Sequence, residues 1–185
     1  TSLSDDGTNS LYEDRSGNLW VGTIYGNINR FDRTTETFIY KNVSDLLDVL
    51  PDQTDDFYEY PLSFSRNQKT TITSIAEDKD GKLWIGTWGC GIIVIDKYFK
   101  KYNHFYFDKN NPTGLKTNRI MDLLFDADGK LWVATFGGGL SRITISNKNS
   151  KNDFSFETLQ QGTNAVSYTH LTLPTSEKVK ISGAA

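Results

Sequence analysis

Asp126-Ala127-Asp128-Gly129-Lys130-Leu131-Trp132-Val133-Ala134-Thr135 is matched twice earlier in the chain, by Asp78-Lys79-Asp80-Gly81-Lys82-Leu83-Trp84-Ile85-Gly86-Thr87 and by Asp14-Arg15-Ser16-Gly17-Asn18-Leu19-Trp20-Val21-Gly22-Thr23. The three tryptophans stand 64 and 48 residues apart, spacings that suit a unit of several short strands. The register extends beyond them: Leu11, Ile75 and Leu123 precede each Trp by nine residues, and Asp32, Asp96 and Thr144 follow it by twelve. Each copy reads as a hairpin followed by a third strand. Asp-x-x-Gly is turn chemistry, the Asp side chain capping backbone amides and Gly17, Gly81 or Gly129 taking the positive φ that closes the hairpin.

The strand after that turn is apolar on both faces, Leu83 and Ile85 on one and Trp84 on the other, so it is expected to be covered on both sides. Gly22, Gly86 and Ala134 share the Trp face and are small, which suits close approach of a neighbouring sheet. A second turn follows at Gly89-Cys90-Gly91 and Gly137-Gly138-Gly139, and less completely at Gly26-Asn27. Repeated sheets covered on both faces stack as propeller blades. The predicted fold is all-β, a partial β-propeller of about three four-stranded blades, and because a closed propeller needs at least four, it is expected to be a piece of a larger toroid.

Along the chain, residues 1–9 lead into blade 1 at 10–42, with Thr37–Tyr40 as its outer strand, and 43–69 form an insertion in which residues 43–50 favour a short helix ended by Pro51. Blade 2 occupies 70–108 and closes with Phe105-Tyr106-Phe107. A connector and blade 3 fill 109–160, with Phe154-Ser155-Phe156 outermost, and 161–185 form a tail outside the propeller. Val166-Ser167-Tyr168-Thr169-His170-Leu171-Thr172-Leu173-Pro174-Thr175 matches one reading frame of a sequencing-library transposase adapter, so 166–185 read as non-native. Removing them should leave the melting temperature unchanged; a clear loss on truncation would contradict this.

With 20 basic and 23 acidic residues, a formal charge of −3, nothing suggests a nucleic-acid or membrane-surface partner. Cys90 is the single cysteine, which excludes an intrachain disulfide and an all-Cys metal site. Aligned to a calcium loop with Gly81 or Gly129 at its sixth position, the repeats place Ala76 or Leu124 first and Thr87 or Thr135 twelfth, which fails as a ligand set. The string also matches part of the Asp-box of sialidase-like propellers, a structural turn, but Arg15, Lys79 and Ala127 stand where that motif has Asp. Outside the tail the one histidine, His104, has no nucleophile motif or ligand spacing around it, and the glycines at 137–139 are followed by no Lys-Ser/Thr. No catalytic residue, cofactor or metal is therefore assigned.

The whole pattern, an apolar strand, then Glu-Asp-x-x-Gly-x-Leu-Trp-Ile/Val-Gly-Thr, then Gly-Gly-Ile/Leu and a strand ending in Asp, resembles the two-component regulator propeller repeat. Ile75 through Asp96 is the fullest match; the first copy has Asn27 for the second Gly, and the third has Phe125 for Glu, Ala134 for Gly and Thr144 for Asp. The resemblance implies the periplasmic sensor of a Bacteroidetes-type hybrid two-component regulator. The full protein would add further blades, an immunoglobulin-like domain, a membrane helix, a kinase, a receiver and a DNA-binding domain, act as a homodimer, and respond to an oligosaccharide. The segment itself would perform no chemistry; a protein-interaction scaffold and a propeller hydrolase or lyase are the alternatives. Four residues past each Trp stand Ile24, Trp88 and Phe136, with Tyr25 beside the first, and ten past stand Arg30, Val94 and Arg142. Aromatic rings stack on sugars and arginines reach carboxylates or hydroxyls, so Tyr25, Arg30, Trp88, Phe136 and Arg142 are the candidate ligand-binding residues.

Overall fold

A computed structural model of the protein describes residues 2–47, 70–111, 113–145 and 154–159. Three antiparallel four-stranded meanders stand side by side. Blade 1 is β1 (Thr8–Glu13), β2 (Leu19–Thr23), β3 (Asn27–Asp32) and β4 (Thr37–Asn42). Blade 2 is β5 (Ile72–Glu77), β6 (Leu83–Thr87), β7 (Ile92–Ile95) and β8 (Lys101–Phe105). Blade 3 is β9 (Ile120–Phe125), β10 (Leu131–Thr135), β11 (Leu140–Ile145) and β12 (Phe154–Leu159). The first strands β1, β5 and β9 lie alongside one another, which makes them the inner strands of an open arc, a partial propeller.

Sequence explains the stacking. Alternation along β2 and β6 sends the Trp to one face and its flanking aliphatics to the other. Trp20 and Ile28 of blade 1 then pack with Ile75, Leu83, Ile85, Ile93 and Ile95 of blade 2 in one core. Trp84, Ile92 and Val94 of blade 2 pack with Leu123, Leu131, Val133 and Ile143 of blade 3 in a second. Each blade thus lays its Trp face on the aliphatic face of the next. Phe105 stacks on Trp84 at 5.4 Å and 7°, and Phe125 and Phe154 meet the indole edge-on.

The small residue past the Trp sets how close the sheets come. A Cβ on Gly22 would lie 2.4 Å from Ile72 Cγ2, and one on Gly86 would lie 2.7 Å from Ile120 Cγ2. Ile72 and Ile120 begin the first strands of the following blades, each opposite the Thr that ends its second strand, where the register slips by one residue.

Several expectations need correction. Blade 2's outer strand is Lys101–Phe105, not Phe105–Phe107. The turn held by Asp96 brings the chain back at once, so Lys101 already pairs with Ile95 and Phe105 with Ile92. The helix expected over 43–50 is a single 3₁₀ turn, Val43–Leu46, capped by Asn42 and buried through Val43 and Leu46. The third repeat strand is not covered on both sides: Trp132 is only half-buried and its cross-strand partner Leu124 is 60% exposed. At the other end of the arc, Leu11 is 71% exposed where Ile75 and Leu123 are at 7% and 6%. No described blade covers either face. The remainder of the insertion and the adapter-like tail fall outside the described residues.

Candidate functional site

Each blade has an upper rim, holding the connections between its second and third strands and the approach to its first, and a lower rim with the Asp-x-x-Gly hairpins. At the lower rim one carboxylate does two jobs. Asp78 Oδ1 accepts from the Asp80 and Lys82 amides at 2.9 and 3.0 Å, and Oδ2 accepts the Trp84 indole N–H at 3.0 Å. Asp14 does the same for Ser16, Asn18 and Trp20 at 3.0, 2.8 and 2.9 Å, and Asp126 for Asp128, Lys130 and Trp132 at 3.0, 2.9 and 2.8 Å. Backbone capping is as expected from sequence. The indole bond was missed, although the six-residue Asp-to-Trp spacing in all three copies carries the signal.

Burial acts to raise the pKa of Asp14 and Asp126. The donors outweigh it, the indole and Asn18 for Asp14 and the Lys130 amide and indole for Asp126, so both lie below the ordinary 3.8. A lowered folded-state pKa contributes stability that is present above the unfolded value and lost as pH falls through the folded one. The melting temperature should therefore hold from neutrality to about pH 4 and then decline; an Asp14→Asn, Asp126→Asn double variant should start lower and show a shallower decline. An equally steep acid limb in that variant would assign the loss to other carboxylates.

At the upper rim the residues four past each Trp take equivalent places. The amides of Ile24, Trp88 and Phe136 donate to the carbonyls of Gly7, Thr71 and Arg119 at 2.8, 2.9 and 2.9 Å, tying each turn to the approach of its own first strand. Thr71 Oγ1 also donates to the Ile24 carbonyl at 2.7 Å, linking blades 1 and 2. The Trp88 and Phe136 rings, from adjacent blades, meet at 5.5 Å and 47°, both half-buried. Tyr25 is 52% exposed.

The arginines lie elsewhere. Arg30 pairs cross-strand with Trp20, holds its guanidinium 5.9 Å from that ring, and donates to the Lys97 carbonyl of blade 2 at 2.5 Å. Arg142 pairs with Trp132, lies 5.4 Å from its ring, and ion-pairs with Glu157. Val94, the blade 2 equivalent, is buried against Trp84. The structure thus joins Trp88 to Phe136 on one rim and places Arg30 and Arg142 on the Trp faces. Among the described residues no three His, Cys, Asp or Glu side chains converge as a metal site, and no helix is long and apolar enough to cross a membrane.

Residues 2–25, 68–89 and 114–137 match the family described as two component regulator propeller. No curated protein sequence matches the chain. Among solved structures, the extracellular domain of a protein assigned as a hybrid two component system in B. thetaiotaomicron aligns at 21% identity and TM-score 0.62, over 88% of this chain and 19% of that one. A second such domain from the same organism aligns at 25% identity and TM-score 0.54, over 77% and 18%. A catalytically inactive virginiamycin B lyase from Staphylococcus aureus aligns at 16% identity and TM-score 0.55, over 86% and 44%, a likeness of fold alone. The chain spans about a fifth of the two extracellular domains. Three stacked blades, each opened by the same capped hairpin, thus carry at equivalent positions a match to the two component regulator propeller family.

Proposed function

We propose that the chain is part of the periplasmic ligand-sensing propeller of a hybrid two-component regulator, and that an oligosaccharide stacks on the upper rim. The observation that carries the reading is the Trp88–Phe136 pair: two half-exposed rings from neighbouring blades, on backbone held by equivalent hydrogen bonds, with exposed Tyr25 one blade away. Aromatic faces on rigid turns bind flat apolar sugar faces at little entropic cost. The segment performs no chemistry; it binds and, through the remaining blades, biases a homodimer coupled to a kinase. Arg30 and Arg142 are left out of this surface, since both guanidinium groups lie over the repeat indoles, away from the upper rim.

The test uses the full-length regulator. Trp88→Ala and Phe136→Ala should each weaken the activating oligosaccharide about tenfold, a little over 1 kcal/mol, with a small change in melting temperature. Affinity that is unchanged, or that falls only in step with stability, would assign both rings to the scaffold. A glycan screen with no responder, alongside capture of a specific protein, would favour the interaction-scaffold alternative.

A further inference from the structure

On the lower rim, at the opposite end of blades 1 and 2 from the Trp88–Phe136 pair, an open cleft is lined by the turns after β3 and β7. Arg30, Arg33 and Lys97 converge there with one acid, Asp32. Asp32 is engaged by its own turn, accepting the Thr34 and Thr35 amides at 2.8 and 3.2 Å. Arg33 is tied to the Gly17 carbonyl at 2.9 Å and to Glu13 at 2.8 Å. Arg30 uses one nitrogen on the Lys97 carbonyl and rests on Trp20, and no carboxylate of a described residue ion-pairs with it or with Lys97. The Lys97 ammonium stands 5.3 Å from the Tyr98 ring, and Tyr98 is 73% exposed. In a chain of net charge −3, this is a local excess of cation beside an accessible aromatic ring.

From this arrangement we infer that the cleft between blades 1 and 2 binds a small carboxylate-bearing ring molecule of the uronic acid class. Arg30 and Lys97 take the carboxylate and Tyr98 takes a ring face. A guanidinium already oriented by an indole and a carbonyl loses little freedom on pairing, and its remaining nitrogens suit a planar carboxylate. The site stands apart from the upper rim, so neither reading depends on the other.

Calorimetric titration of the chain with trigalacturonate and with its methyl ester tests this, because esterification removes the charge and keeps the rings. The acid should bind at least tenfold more tightly than the ester. Lys97→Met and Tyr98→Ala should each weaken it several-fold, and Lys109→Met, at an exposed cation outside the cleft, should leave it unchanged. Lys97 and Tyr98 are exposed, so both variants retain the fold. Equal binding of acid and ester, binding indifferent to Lys97 and Tyr98 or lost equally in Lys109→Met, or no binding at millimolar ligand would overturn the inference.

Discussion

Gly86→Val should destabilise the protein by about 3 kcal/mol, the upper end for forcing bulk into a packed core. Gly86 lies on the Trp84 face of β6, where its added Cβ would stand 2.7 Å from Ile120 Cγ2, 2.8 Å from Ser74 Oγ and 3.3 Å from Ile120 Cβ. Ile120 is fully buried at the start of β9, so relief requires blade 3 to move off blade 2, uncovering the aromatic cluster around Trp84. Extended backbone favours Val over Gly, so local propensity predicts the opposite sign. Gly86→Ala isolates the contact: paired with Ile120→Ala, which removes the offending methyl, it should show a coupling of at least about 1 kcal/mol in a double-mutant cycle. Additive losses would mean that the two residues do not set the sheet spacing.

That glycine was legible in the sequence because smallness recurs two residues past each Trp, and a periodic small residue on an apolar face signals close approach. The third copy shows the limit of such reading. Ala134 and Trp132 obey the pattern, yet Trp132 is half-exposed, since burial belongs to whatever stacks on a strand and not to the strand itself. Outer strands are harder still. Lys101-Tyr102-Asn103-His104-Phe105 lacks an apolar period because one of its faces and one of its edges meet solvent, so the more apolar Phe105-Tyr106-Phe107 reads as the strand in its place.

At the candidate site, the upper-rim aromatics were legible as positions but not as neighbours; the 5.5 Å approach of Trp88 to Phe136 is created by blade stacking. The arginines lie on the Trp faces for a simpler reason. In a hairpin with a short connection, the residue ten past the Trp lies directly across from it, as Trp20 pairs with Arg30 and Trp132 with Arg142. Cross-strand geometry therefore put the guanidinium over the indole, which could have been counted from the turn length alone. The lower cleft had no periodic signal, because Lys97 and Tyr98 lie in a turn whose sequence differs between copies.

Asp78→Ala should cost about 3 kcal/mol, comparable to truncating a core aliphatic residue, although it removes a polar side chain from a turn. Three donors converge on this one carboxylate, two turn amides on Oδ1 and the buried Trp84 indole on Oδ2. Loss of the carboxylate leaves the buried indole N–H unsatisfied, at about 1–3 kcal/mol, and strips two part-buried turn amides of their acceptor. The near-isosteric Asp78→Asn should recover little, since an amide offers one oxygen where two acceptors are needed: either the amide nitrogen faces the indole N–H, or it faces the turn amides. Trp84→Phe removes the indole donor while keeping an aromatic ring in contact with Phe105, Phe125 and Phe154. In the Trp84→Phe background, Asp78→Asn should therefore cost clearly less than in the native protein, because the oxygen can turn to the backbone amides with no donor facing the nitrogen. Chemical denaturation of the four proteins in this cycle measures the difference. If Asp78→Asn is as costly in the Trp84→Phe background as with the native indole in place, the indole bond adds nothing to the turn, and the fixed spacing of Asp and Trp in all three copies needs a different physical cause.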